Sequence, residues 1–402
     1  MELPRTDALS HPTPSPQDPT PLRAELLGPD QLAALARALA AETRVGVRRG
    51  FVLLPRLRDN AAVLKQARDA AADAAGRGEP LMPDAEWLLD NFFVVEDVLR
   101  EVRTDLPRGY YDELPAAASG PDAGLPRVYR VAVALVEHTD SHLDDGLILR
   151  FVRAYQEAVP LSTGELWAVP TMLRLALLEN LRRLAGQMIA TRAERDRAVA
   201  WVRAAAATRA PSDLPAEPTD AFLVGWHQAV RELGDAPPVD GRAAVRRAGP
   251  LAPGDWLARH AAGDLTEVLQ REHRRQAANQ VSVGNCVTSL RLLNAIDWNE
   301  FFERASPVEE ALKAEPTGVY RRQEFATRDR YRQAVEALAK AAKLDEVEVA
   351  RRAIARAAAA ATPRERDVGY HLIAEGRTAF ARELGCRFSA RARGRAFLTD
   401  RP

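Results

Sequence analysis

The feature that most constrains the fold is a series of apolar side chains spaced three or four residues apart between Trp87 and Leu184. The first set holds Trp87, Leu88, Phe92, Val95, Leu99 and Val102. Similar sets follow in 128–135, 147–155 and 166–184. Side chains at this spacing lie on one face of an α-helix. The stretch therefore predicts successive amphipathic helices that bury one stripe each.

Capping and breaking residues mark where these helices begin and end. Ser162 and Glu165 match the capping-box pattern that opens a helix. Pro126 stands where a helix favours proline, at its first turn. Pro170 falls early in the last helix and predicts a kink or a second start there. The short turns between helices favour antiparallel hairpins.

The chain as a whole predicts an all-α fold, a multi-helix array of antiparallel hairpins in two lobes. Its 402 residues exceed a typical single core. Prolines crowd its start, and Pro, Gly and Asp crowd residues 211–253. The predicted organisation is a disordered Pro-rich tail over 1–28, a first lobe over 29–208, a connection over 209–255, a second lobe over 256–388 and a basic tail over 389–402.

Several local patterns add further expectations. Val45 to Leu57 is the one strand-like stretch, and Thr191 to Thr208 predicts a separate Arg/Ala helix. A short helix is expected around Ala221 to Leu233 within the connection. Leu265 to Val283 and Cys286 to Phe302 predict two helices joined around Gly284.

Composition excludes some classes of partner. Basic and acidic residues number 56 each, so no net field attracts nucleic acid or acidic lipid. The two cysteines, Cys286 and Cys386, lie in apolar helical patterns and suit a reducing compartment. No signal-peptide pattern and no run of about 20 apolar residues is present, which predicts a soluble cytoplasmic chain without a membrane span.

One cluster could in principle hold a metal ion. His138 and His142 stand four residues apart, close to Asp140, Asp144 and Asp145. Two such histidines can share a transition metal with a carboxylate. The alternative is a corner between helices in which Asp140 or Ser141 caps the next helix. We expect the corner, and therefore no metal and no cofactor.

Other residue types bear on carbohydrate chemistry. Adjacent acids such as Asp112 and Glu113 do not face each other across a bond as a glycosidase pair does, so no catalytic residue is predicted. Phosphate-cradling Gly-rich loops and a Gly-x-Ser-x-Gly elbow are absent. Flat aromatic rings could serve a sugar or, more simply, the core. The predicted contact patch consists of Arg108, Tyr110, Tyr111, Tyr155 and Trp167.

Many short segments, in order, resemble the cytosolic N-terminal region of the bacterial cyclic β-1,2-glucan synthases. In the first lobe these are 106–115, 126–129, 138–141, 151–156, 164–168 and 179–184. In the second lobe they are 282–285, 289–291, 295–298, 306–309, 325–332 and 368–370. The resemblance extends from about residue 84 to residue 388, and the connection diverges.

The resemblance implies a partner rather than an activity in this chain. Proteins of that family carry membrane spans around a glycosyltransferase that uses UDP-glucose. The transferase signatures, Gln-x-x-Arg-Trp and Asp-x-Asp, find no match here. The expected function is thus a non-catalytic helical domain at the inner face of the inner membrane, which braces or regulates that transferase. A β-glucan-binding module and a stand-alone helical carbohydrate-active enzyme remain as alternatives.

Overall fold

Seventeen helices and one two-stranded sheet make up the residues that the computed structural model describes, which are 20–46, 52–118, 123–206, 218–235 and 265–386. The first nine helices are α1 (Pro29–Glu42), α2 (Leu53–Gly76), α3 (Pro83–Asp90), α4 (Phe92–Asp105), α5 (Arg108–Glu113), α6 (Arg127–His138), α7 (Asp145–Gln156), α8 (Thr163–Ala206) and α9 (Asp220–Asp235). The remaining helices are α10 (Leu265–Ala295), α11 (Trp298–Ala305), α12 (Pro307–Leu312), α13 (Val319–Arg322), α14 (Phe325–Ala342), α15 (Glu346–Ala359), α16 (Val368–Leu372) and α17 (Arg377–Glu383). The predicted all-α class is confirmed.

The sheet is small and joins two distant loops. Strands β1 (Val45–Gly46) and β2 (Ala116–Ala117) are antiparallel, with Val45 opposite Ala117. The predicted strand-like stretch from Val45 to Leu57 is therefore wrong beyond its first residues, because α2 already begins at Leu53. Residues 47–51 lie outside the described ranges.

Helix α8 is a single element of 44 residues. Pro170 lies inside it and no second start occurs, and the separate helix predicted from Thr191 is its continuation. A proline removes one backbone hydrogen bond of a helix. Buried Leu166, Val169 and Leu173 surround that position and hold the helix by packing.

Helix α10 likewise runs without a break through Gly284, where a junction between two helices was predicted. The nearest side chain beyond the glycine is the indole of Trp87, 3.8 Å from the place a Cβ atom would occupy. The missing side chain lets α3 pack close to α10, so the glycine serves a helix contact instead of a turn.

The buried apolar side chains form three clusters. The main cluster draws on residues 22–188 and 283–305, the second on residues 308–384. A smaller cluster joins the end of α8 to α9 and the start of α10. The end of α10 and α11 thus complete the main core. The predicted two-lobe boundaries stay a prediction.

The segment that leads into α1 is packed against the main core. Leu22 is buried, and its backbone N–H donates to Asn180 Oδ1 at 2.7 Å. Arg23 donates to Ser282 Oγ and to the carbonyl of Ala278. The expected disorder therefore does not hold for residues 20–28, and the rest of the predicted tail, 1–19, lies outside the described residues.

Two further predicted segments fall partly or wholly outside the described residues. Helix α9 confirms the short helix expected within the connection. The flanking parts of the connection, 209–217 and 236–255, and the basic tail, 389–402, are outside. Within the described ranges, no helix combines the length and the apolar content that crossing a bilayer requires.

Candidate functional site

A cleft of about 920 Å³ opens between the start of α8 and the helices α14 and α15. We call it the α8–α14 cleft. One side is formed by α5 and the residues around Gly164, the other by Glu336, Lys340 and Glu346. Its volume falls within the range of small-molecule sites. A second cavity, between α1 and α7, has a smaller volume of about 590 Å³.

The first wall presents aromatic rings that are already anchored. The Tyr110 hydroxyl donates to the carbonyl of Gly164 at 2.6 Å. Trp167 stacks on Phe302 with ring centroids 4.6 Å apart and meets Phe325 edge-on. Tyr110 and Trp167 are partly buried and offer the cleft only the faces and edges that these contacts leave free.

The base of this wall is a buried ion pair. Arg127 Nε donates to Glu165 Oε1 at 2.6 Å, and its Nη2 donates to Glu165 Oε2 at 2.7 Å. Burial alone would lower the pKa of Arg127, but the contact with Glu165 outweighs it and the pKa is raised. Glu165 also accepts from the N–H of Ser162, while Ser162 Oγ accepts from the N–H of Glu165. The predicted capping box is confirmed.

In the opposite wall, Glu346 bonds to Thr163, the first residue of α8. Glu346 Oε2 accepts from both the backbone N–H and the Oγ1 of Thr163, at 2.9 and 2.6 Å. Burial, together with the nearby charges of Glu336 and Asp345, raises the pKa of Glu346 above its ordinary value despite these hydrogen bonds. Free N–H groups at a helix start attract a carboxylate, so α15 caps α8.

A lysine bridges the mouth of the cleft. Lys340 Nζ lies 2.7 Å from Glu113 Oε2 on α5 and 2.8 Å from Glu336 Oε1 on its own helix. Burial would lower the pKa of Lys340, but the hydrogen bonds to Glu113 and Glu336 raise it. The bridge is half exposed, so the attraction is screened by solvent.

These contacts limit what the cleft can do chemically. Carboxylates occupy both walls, which is the first requirement of a two-acid hydrolase. However, Glu113 and Glu336 share one ammonium group, Glu165 is neutralised by Arg127, and Glu346 caps a helix. The arrangement favours hydrogen bonding and charge recognition.

The predicted contact patch is divided by the structure. Arg108 is 80% exposed, and Tyr110 and Trp167 line the cleft. Tyr111 and Tyr155 are fully buried, so the expectation that they belong to a surface patch is wrong for these two. Aromatic residues at helical spacing are buried when the helix face that carries them packs against the core. Whether the others contact a partner stays a prediction.

The described residues, including those of the His138 corner, contain no group of three or more His, Cys, Asp or Glu side chains placed to hold a metal ion. His138 Nδ1 lies 2.8 Å from the carbonyl of Glu25, and His142 is exposed. The predicted cap is displaced, because Asp144 and not Asp140 or Ser141 accepts from the first turn of α7. Asp140 and Ser141 instead turn the chain with φ of 46° and 65°, a conformation that costs free energy outside glycine.

Hydrogen bonds from other helices hold this strained turn. Ser141 Oγ accepts from Asn180 Nδ2 at 2.8 Å, and the carbonyl of Ser141 accepts from Ser289 Oγ at 2.7 Å. The carbonyl of Asp140 accepts from Asn285. We call this group the Ser141 corner. The sequence analysis missed it, although small polar residues on the buried face of α10 were a visible signal.

No protein-family model matches the chain. The chain is 32% identical over 339 residues to the cyclic beta-(1,2)-glucan synthase NdvB of Rhizobium meliloti. The aligned region covers 80% of this chain but only 11% of that protein. Over most of its length, this chain is therefore related to the cyclic β-(1,2)-glucan synthase family.

Proposed function

We propose that the chain is a non-catalytic helical domain that braces or regulates a membrane glycosyltransferase making β-1,2-glucan from UDP-glucose. The transferase would be joined to it in the same polypeptide or bound as a separate one. The site of action would be the cytoplasmic face of the inner membrane. The relationship to NdvB supports a connection with β-1,2-glucan synthesis. The internal contacts described below support the bracing role.

The observation that carries this proposal is where the family-like segments meet. Arg127 and Glu165 belong to two of them and pair with each other in the interior. Asn180 and Ser289, from two more, bond to Ser141. Arg127 and Glu165 lie at the base of the α8–α14 cleft, but each neutralises the other's charge there. Side chains that bond to each other in this way maintain a shape, which is what a brace requires.

A second set of buried contacts supports the same role. Arg332 Nη1 lies 2.7 Å from Glu309 Oε2, with both side chains fully buried. These two residues also come from family-like segments, 325–332 and 306–309. Arg332 additionally lies over the rings of Phe302 and Phe325, 4.9 and 4.7 Å from their centroids. The second cluster is thereby joined to the main core.

The non-catalytic part is tested with the purified chain, UDP-glucose and a divalent metal ion. We expect neither glucan nor steady release of UDP, because no nucleotide-sugar signature occurs in the sequence. A UDP release rate that rises with protein concentration would refute the proposal.

The bracing part is tested by complementation. A cyclic glucan synthase lacking the segment that this chain matches is assayed in membranes with and without the added chain. We expect the chain to restore glucan synthesis and an Arg108→Glu/Tyr110→Ala variant to need about tenfold more protein, as for loss of an interface contact. Arg100→Glu is the matched control, since Arg100 is equally exposed on α4. No recovery with the wild-type chain would contradict the brace.

The α8–α14 cleft favours a second candidate, a β-glucan-binding module. Tyr110, Trp167 and Trp298 line it together with hydrogen-bonding acids and amines, and such rings suit sugar faces. Titration calorimetry with linear and cyclic β-1,2-glucans decides this candidate. Binding that is lost in Trp167→Ala supports it, and no heat up to millimolar ligand removes it.

A further inference from the structure

We propose that His371 is a proton-sensitive switch that holds α17 in place near neutral pH and loosens it in mild acid. This property is independent of the proposed function. Two features carry it, namely a chain of hydrogen bonds that runs through the imidazole ring from Glu365 to Glu383, and a cavity beside the ring.

The hydrogen bonds of His371 fix which ring nitrogen carries the proton. Nε2 lies 2.8 Å from the carbonyl oxygen of Glu365, and a carbonyl oxygen can only accept, so Nε2 carries the hydrogen. Nδ1 is then free to accept from Nε of Arg356 at 3.3 Å. The ring is therefore neutral in this arrangement, and a second proton on Nδ1 would point at the N–H of Arg356.

Arg356 connects the ring to α17. Its Nη1 donates to the carboxylate of Glu383, which lies on α17. The apolar face of α17 places Phe380 in the second cluster, with its ring centroid 6.5 Å from that of His371. A change of charge at His371 therefore acts on both the polar and the apolar contacts of α17.

The charged groups around the ring come from each neighbouring element. They are Arg352 and Arg356 on α15, Glu365 and Asp367 before α16, and Glu383 on α17. The tyrosines are Tyr370, edge-on to the ring, and Tyr331 of α14, whose hydroxyl lies beside Gly369. Burial lowers the pKa of His371 and the charge of Arg356 adds to this, while Glu365 and Asp367 oppose it only in part.

A cavity of about 470 Å³ adjoins the ring and gives water a route to it. Its lining includes His371, Arg356 and Glu383, with Ala355 and Ala359 of α15 between them. His371 is only 3% exposed, so a protonated ring would be a buried cation beside a guanidinium group. Such a cation is costly unless water reaches it. Outward movement of α17 widens the cavity and relieves this cost.

The direction of the pH effect follows from proton linkage. A ring released into water regains the ordinary pKa of 6.5, whereas the pKa of the packed ring of His371 is lower. The packed state therefore binds fewer protons than the loosened state. Its stabilisation is complete above 6.5 and is lost as pH falls through the lower value of the packed ring.

Hydrogen exchange of the α17 amides in the full chain tests the switch. After correction for intrinsic rates, we expect exchange at least about threefold faster at about pH 5.5 than at about pH 7.5. In His371→Asn, the side-chain oxygen can replace Nδ1 as acceptor but cannot titrate, so the two rates should become equal. His142→Asn is the matched control, because His142 is exposed, and it should keep the wild-type ratio.

A second comparison identifies the cation that opposes the proton. Arg356→Gln removes the charge that faces Nδ1 and should reduce the acid response of α17. Arg352→Gln should preserve the response, because Arg352 lines the same cavity but pairs with Glu348. Proton NMR of the wild type needs no variant, and the ring of His371 should titrate with a midpoint below 6.5.

Several outcomes would overturn the proposal. One is exchange of α17 that does not change with pH, and another is a His371 midpoint at or above 6.5. An acid response that survives in His371→Asn would assign it to another group, such as the carboxyl of Glu346. Equal effects of Arg356→Gln and Arg352→Gln would also contradict it.

Discussion

Glu346 and Thr163 are joined by two hydrogen bonds across 183 residues of sequence, so one helix is capped by the first residue of another. The carboxylate accepts from the backbone N–H and the hydroxyl of Thr163. This contact connects the second apolar cluster to the start of α8, the longest helix of the described part. Arg332 over Phe302 and Lys340 beside Glu113 add further links between the second cluster and the main one.

The first prediction concerns this cap. Glu346→Ala removes the acceptor and should lower the free energy of unfolding by about 1–2 kcal/mol. Glu346→Gln keeps an acceptor without the charge, and it should be at least as stable as the wild type near neutral pH, because the raised pKa shows that the charged form is disfavoured. Urea unfolding measures both. A glutamine variant as unstable as the alanine variant would contradict this account.

The second prediction concerns the Ser141 corner. Ser141→Ala removes the hydroxyl that accepts from buried Asn180 and should cost about 1–3 kcal/mol, because a buried donor is left unsatisfied. Thr104→Ala serves as the control, since the hydroxyl of Thr104 bonds a carbonyl on an exposed helix face. Thermal unfolding of both variants is the measurement. Equal effects would show that the corner does not stabilise the fold.

The third prediction concerns the buried pair of Arg332 and Glu309. Arg332→Met removes the nearest of three cations around buried Glu309 and leaves Arg328 and Lys313 at 3.2 and 3.3 Å, so it should destabilise by about 1.5–3 kcal/mol. Arg332→Lys keeps a cation beside Glu309 and should cost less. Urea unfolding followed by circular dichroism compares them, and a lysine variant as unstable as the methionine variant would refute the interpretation.

The fourth prediction concerns Glu179 and the loss of folding stability at low pH. Burial would raise the pKa of Glu179, but Arg183, Arg182 and Asn60 outweigh it and hold the pKa below the ordinary value of 4.5. The folded state then binds fewer protons than the unfolded state as pH falls. The stabilisation is complete above the ordinary value and is lost as pH falls through the folded one.

The measurement is the urea midpoint of wild type and Glu179→Gln between about pH 7 and about pH 3. The variant should be less stable at neutral pH and should show a shallower decline in acid. Parallel declines in the two proteins would assign the acid sensitivity to other groups.

The fifth prediction concerns thiol reactivity. Burial raises the pKa of Cys286 to about 12, while Cys386 is only partly buried and its pKa is raised as well. Since the thiolate is the reactive form, a thiol reagent at about pH 8 should label Cys386 first and Cys286 only after unfolding. Mass spectrometry of wild type and Cys386→Ala tests this, and fast labelling of native Cys286 would contradict it.

Much of the local structure could be predicted from residue patterns. The capping box of Ser162 and Glu165 and the helix α9 are present as expected. These features depend on residues a few positions apart, and that spacing is visible in the sequence. Two residues of the α8–α14 cleft, Tyr110 and Trp167, also belong to the contact patch that the sequence predicts.

Other predictions failed where distant segments meet. Gly284 was expected to break a helix, but the indole of Trp87 lies against it and α10 continues. Tyr155 was expected at a surface, but it is buried in the main cluster. In both cases the local pattern gave no information on which distant element would pack against the residue.

The order and spacing of apolar residues thus decided that this chain is helical, and its family-like segments were enough to relate it to the cyclic glucan synthases. Packing alone decided that Glu346 meets Thr163, that Asn180 meets Ser141, and that acids and aromatic rings share one cleft. The physical reason is the distance along the sequence over which each interaction acts. Helix formation depends on neighbours within a turn or two, whereas burial and ion pairing depend on which faces come together after the helices have formed.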